Sequence, residues 1–362
     1  MIRRSWVLLL VAAAANILPA QTPPNRVYVM ANQAGKAGNS ILVYERSSTG
    51  ALTLIQKIAT QGQGSGPTIG LGSQGPLTLN AKGSLLLAVD GGSDQVSSFT
   101  VTSAGLTFDS IAPTGGTFPV SVAVAGNFAY VVNQMGTPNI AAYQIASDGK
   151  LTMLPKTVNL PGGTNALPGQ ISVTPDGKVL VVTERNTSLI DMMPLAVGGT
   201  ITSNPSDGKG PYGFMFGPNQ ALIVTESARS TASSYNIIEG ATPTLKTITS
   251  KVSDMGSMAC WVVTSPDLSY AYIVNPGNDT ISTYGISSTG ALSLIAAAAA
   301  NTGATPADLA ISHDGQYLYV MANSSGTGNT GEILEYSVSG ATLTPVGSVT
   351  GLPRSSKGIA AW

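Results

Sequence analysis

Two glutamates in this chain follow closely similar runs, Val181-Val182-Thr183-Glu184 and Ile223-Val224-Thr225-Glu226. Carboxyls brought to one rim of a fold can share a proton or raise one pKa, as a general base for hydrolysis requires. Each can equally close a turn by accepting backbone N–H groups. Arg185, next to Glu184, is a candidate cation for a developing oxyanion, and Tyr212 a candidate donor to it. Ser121, Gln170, Trp261 and Asp308 open short apolar runs and are candidate ligand contacts; a Trp there either stacks on a ring or packs into the core. His313 is the single histidine, so a His-based triad or a multi-His metal site elsewhere in the chain is excluded. The acidic, Gly-containing stretches 90–94 and 275–279 lack the ligand spacing of an EF-hand, and no metal or other cofactor is expected.

The elements that must position these residues come from an internal repeat. In 305–336, apolar residues alternate through Leu309 and Ile311, and the chain turns at His313-Asp314-Gly315. A run rich in β-formers follows, Tyr317 to Met321, then a Ser/Gly/Asn loop and a third run through Ile333, Leu334 and Tyr336. Related units open near Pro76, Pro119, Pro168, Pro211 and Cys260, roughly 43 to 49 residues apart, a period that marks four-stranded propeller blades. The amino end, from Arg26 to Tyr44, carries the second and third strands of a unit without a first. The missing strand stands at the other end, in Gly358-Ile359-Ala360-Ala361-Trp362. The expectation is therefore an all-β, seven-bladed β-propeller of four-stranded blades, with the C-terminal strand joining the N-terminal blade and closing the ring. Glu184 and Glu226 then emerge on one rim from adjacent blades, and His313 on the other.

The strand endings Tyr130-Val131-Val132-Asn133, Tyr272-Ile273-Val274-Asn275 and Tyr319 to Asn323, with the turn Thr174-Pro175-Asp176-Gly177, resemble the YVTN-type repeat of the bacterial lactonase family of seven-bladed propellers. Its members include 6-phosphogluconolactonases and relatives of muconate-lactonising enzymes. The resemblance implies lactone hydrolysis by a carboxylate base at the channel mouth, with Glu226 and Glu184 as base candidates. This chain departs from the family pattern at several positions. Pro168-Gly169-Gln170 lacks the family's His, Tyr212 and Gly213 replace its Arg-His, Pro276 follows Asn275, and Glu226 falls one residue early. A non-catalytic binding or scaffold propeller is the alternative reading.

Residues 1–20 read as an export signal: Arg3-Arg4, an apolar run from Trp6, then Leu18-Pro19-Ala20 as a cleavage site. Residues 21–362 then form one propeller domain, placed in the periplasm or outside the cell, with no membrane span after signal removal. With 17 basic against 18 acidic residues, the near-zero net charge offers no footprint for nucleic acid. Cys260 is the only cysteine, so no intramolecular disulfide forms. The partners expected are a small lactone or sugar-like molecule, or another protein. A sugar phosphate is disfavoured because no cluster of cations is evident near the presumed pocket.

Overall fold

The computed structural model describes residues 24–35, 38–195, 199–323 and 330–362; the proposed leader 1–20 lies outside the described residues. Those residues form strands β1 to β29, numbered in chain order, arranged as seven antiparallel sheets around an axis. The innermost strands are β4 (Leu77–Leu79), β8 (Thr117–Ala125), β13 (Pro168–Val173), β17 (Pro211–Phe216), β21 (Val262–Thr264), β25 (Thr305–Ile311) and β29 (Ile359–Ala361). Each neighbours the next, and β29 lies against both β25 and β4, so the circle is complete.

Burial follows from the stacking of blades. A second strand lies within its sheet and between two neighbouring sheets, so both of its faces are covered and it reads as a continuous apolar run. β5 (Leu85–Asp90), β14 (Val179–Glu184) and β18 (Leu222–Glu226) are buried at every residue. The outermost strand has one free edge and alternates. β3 (Leu52–Ala59) and β20 (Thr244–Ser253) are largely exposed, the latter carrying Lys246 and Lys251 on its edge. In the third blade the outer position is divided between β11 (Leu151–Met153) and β12 (Val158–Asn159), both paired with β10 (Asn139–Ile145). Pro155 lies in the break, where a ladder donor would be missing.

Tyrosines of the third strands clamp blade to blade. The Tyr143 hydroxyl donates to the Pro113 carbonyl at 2.8 Å and that of Tyr284 to Val252 at 3.2 Å. Ring closure uses the expected C-terminal strand. Val27, Tyr28 and Val29 of β1 (Arg26–Met30) pair with Ala361, Ala360 and Ile359, flanked by Met30 N–H to Gly358 O and Trp362 N–H to Arg26 O. Trp362 then stacks on His313 at 4.0 Å between ring centroids, so the last residue is held by the seventh blade.

Removing residues 359–362 uncovers the β1 edge and the apolar faces that Ile359 covers. We expect the truncated chain to lose roughly 3–5 kcal/mol, or about 10 °C of thermal midpoint, and to self-associate. A monomer melting at the full-length temperature would contradict closure by this strand.

Candidate functional site

Glu184 and Glu226 each end the second strand of their blade, on the rim where linkers from outer strands return to the axis. Both are fully buried. Glu226 Oε1 accepts from Gly208 N–H at 2.7 Å and from the Ser206 hydroxyl at 3.1 Å, while Oε2 accepts from Thr231 at 2.6 Å. Glu184 Oε1 accepts from Gly162 N–H at 3.0 Å and Oε2 from Thr187 at 2.5 Å. Gly162 and Gly208 both belong to incoming linkers. Asp90 and Asn133 hold the same position in their blades, bonded to Thr60 and to the Thr114 carbonyl. A linker glycine lies hard against each: Gly62 on Asp90, Gly116 on Asn133, Gly162 on Glu184 and Gly208 on Glu226, leaving no room for a Cβ. The glutamates are therefore latches for separate linkers. Glu184 also neighbours Asp191, whose carboxyl burial and the adjacent glutamate hold well above the usual carboxylate range. Asp191 Oδ1 accepts from Ser203 at 2.6 Å, and its other oxygen has no partner among the described residues.

The remaining predicted residues meet at the axis. The Tyr212 and Trp261 rings form an edge-to-face pair at 5.0 Å, and the Arg185 guanidinium lies 5.0 Å from the Tyr212 centroid. Burial raises the Tyr212 hydroxyl well above its ordinary value, which keeps it a neutral donor. Asp308 is buried, with Oδ1 accepting from Leu309 N–H at 2.9 Å and Oδ2 from Ile359 N–H at 3.3 Å. Burial pushes its pKa up to about 7, against backbone hydrogen bonds and the Lys357 charge, which pull it down. Gln170 and Ser121 tie inner strands and the axial linker together: Gln170 Oε1 accepts from Phe214 N–H at 2.6 Å, and the Ser121 hydroxyl donates to the Gln74 carbonyl at 2.7 Å.

Two features lie outside the sequence-based expectations. The Gly-rich linker 60–76 runs across the axis rather than around it. Its Gln74 side chain donates to the Val262 carbonyl at 2.7 Å and accepts from Val262 N–H at 3.0 Å, and Trp261 Nε1 donates to Ser73 O at 2.8 Å. The second is Lys357, just ahead of β29, whose ammonium lies 6.0 Å from the Trp261 centroid. Burial lowers its pKa, opposed by the charges of Asp308 and Cys260. Lys357 and Arg354 line a cavity of about 210 Å³ with Gly66, Pro67, Gly70 and Asn323. The expected lack of clustered cations is thus corrected: two share one small cavity, and Arg185 stands against the same aromatic pair. A lone Lys in the segment Arg354-Ser355-Ser356-Lys357-Gly358, directly before an innermost strand, was the available signal. On the opposite rim a larger groove, about 1300 Å³, runs across the second to fourth blades between Lys82, Phe128, Tyr130 and Met193.

The closed ring of seven antiparallel sheets makes the protein a seven-bladed β-propeller. The family model for the lactonase 7-bladed beta-propeller matches residues 37–263 and 241–348, and the chain belongs to that family. Comparison with curated proteins gave no match. Among solved structures, a periplasmic gluconolactonase of Pseudomonas aeruginosa is similar at a TM-score of 0.73 and 15% identity, over 93% of this chain and 98% of that one. A Bacteroides uniformis protein provisionally named a 6-phosphogluconolactonase has a TM-score of 0.73 and 16% identity, over 94% of this chain and 100% of that one. At such identities the likeness is one of fold.

If Glu226 is a latch, Gly208→Ala forces its carboxylate off buried donors and costs about 1–3 kcal/mol in chemical denaturation. Gly70→Ala, where the nearest atom to an added Cβ is the Lys357 side chain at 3.9 Å, should be close to neutral. Equal stability of the two variants would refute the latch.

Proposed function

We propose that the protein is an exported hydrolase of the lactonase type that opens a lactone or sugar-like ring at the cation-lined end of the channel. One observation carries this reading. The Lys357 side chain lines the cavity and makes no hydrogen bond or ion pair to any described residue. An ammonium so placed, in a low-dielectric site, suits the oxygen of a bound carbonyl. Family membership, the likeness to a periplasmic gluconolactonase and the signal-like residues 1–20 all support it.

In this reading the lactone carbonyl oxygen accepts from Lys357, and Arg185 adds positive charge beside Tyr212. Asp308 takes a proton from water as that water attacks the carbonyl carbon. Collapse of the tetrahedral oxyanion breaks the ring C–O bond, and the proton returns to the leaving oxygen. Glu226 and Glu184 hold the linkers that frame the site instead of supplying the base. A binding propeller without turnover is the second reading, favoured by the linker 60–76 lying across the axis through Ser73 and Gln74.

With a panel of glucono- and muconolactone-type substrates, kcat/KM should rise as pH increases through about 7, where Asp308 loses its proton. Asp308→Asn should remove that limb, and it and Lys357→Met should each lower kcat/KM roughly 10²-fold, with Glu226→Gln much less affected. The raised Asp308 pKa also has a stability sign. The folded state binds this proton more tightly than the unfolded chain, so the contribution is full at acid pH and lost as pH rises through about 7. Turnover that survives both axial substitutions and disappears in Glu226→Gln would overturn the assignment. Saturable binding with no turnover would establish the second reading.

A further inference from the structure

Lys357 has three features that bear on covalent chemistry. Its ammonium sits against the Trp261 ring at the edge of a cavity, and among the described residues no acceptor engages it. Its backbone is fixed by N–H donation to the Met30 carbonyl at 3.0 Å, as part of ring closure. Lys57 and Lys178, by contrast, hydrogen-bond Gln33 and Glu239 at the surface. An amine held in a partly dry cavity, with no carboxylate bonded to it, meets the conditions under which lysines become nucleophiles toward carbonyl carbon. Burial lowers its pKa, which enlarges the unprotonated fraction.

We propose that Lys357 is a carbonyl-capture site that forms a Schiff base with small aldehydes, the open-chain form of an aldose included. The lone pair of Nζ attacks the aldehyde carbon and forms the C–N bond, and the carbonyl oxygen becomes the hydroxyl of a carbinolamine. That hydroxyl leaves as water after protonation, and loss of the second N–H proton leaves the neutral imine. These protons are exchanged with water. The capture does not require lactone turnover: as an ammonium Lys357 binds a carbonyl oxygen, and as a free amine it attacks the carbon.

The test is reductive trapping on the folded chain. Glyoxylate or glycolaldehyde is added below one equivalent with sodium cyanoborohydride near neutral pH, and the labelled lysines are mapped by peptide mass spectrometry. The expected result is a mass shift concentrated on the Lys357 peptide, ahead of those carrying Lys57 and Lys246, with both aldehydes. The preference should vanish in urea, and Lys357→Gln should leave only slow, scattered labelling. Labelling of Lys357 no earlier than of Lys57 and Lys246 would overturn the proposal. So would a preference seen with glyoxylate alone, which would mark attraction of an anion by Arg354 and Lys357 rather than a nucleophilic amine.

Discussion

A propeller blade is an antiparallel sheet with two apolar faces, and neither face is buried until another blade lies against it. The second strands, buried end to end in β5, β14 and β18, exist only in a ring in which every blade has two neighbours. Two demands follow from that dependence. The last sheet must meet the first, which β29 accomplishes by pairing with β1. Each linker must also travel from an outer strand to the axis across a crowded rim without leaving its backbone N–H and C=O groups unpaired. The residue that ends the second strand meets the second demand. It takes a linker donor or gives to a linker carbonyl, and a linker glycine allows the close approach.

Seen this way, a carboxylate at this position is an acceptor sized to its linker. Asn133 reaches a nearby carbonyl, Asp90 gathers Thr60, Ser97 and Asn39, and Glu226 collects Ser206, Gly208 and Thr231. Burial and the neighbouring Glu184 together hold the Asp191 carboxyl above its usual range. With the rim engaged in holding the ring together, the proposed chemistry falls to side chains at the axis. Lys357, Asp308, Arg185 and the Tyr212–Trp261 pair are of this kind, and the linker 60–76 covers them from one side.

Repeat period, blade count, strand order and closure were legible in the sequence, because each depends on local alternation and on turn residues that recur at fixed offsets. The rim of the glutamates was legible for the same reason. What their oxygens bind was not, since the donors stand in linkers 18 and 22 residues upstream, and a glycine in a loop carries no mark of the side chain it will meet. Tyr212, Trp261 and Asp308 were legible as contact candidates because they lie at or near the starts of inner strands, which line the axis. Lys357 was missed because its environment is assembled from Trp261 and from Gly66, Pro67 and Gly70, segments far apart in sequence that meet only when the ring closes. Gln74 was missed likewise: its partner, Val262, is 188 residues away.

The proposed division of labour puts latches at the rim and ligand chemistry at the axis. Calorimetric titration of a glucono-lactone, or of its unreactive lactam analogue, into the folded protein tests it most directly, with Lys357→Met and Glu226→Gln as variants. Saturable heat is expected in the parent protein and in Glu226→Gln, and none in Lys357→Met at a circular dichroism spectrum unchanged from the parent. Binding undiminished in Lys357→Met but abolished in a folded Glu226→Gln would contradict it.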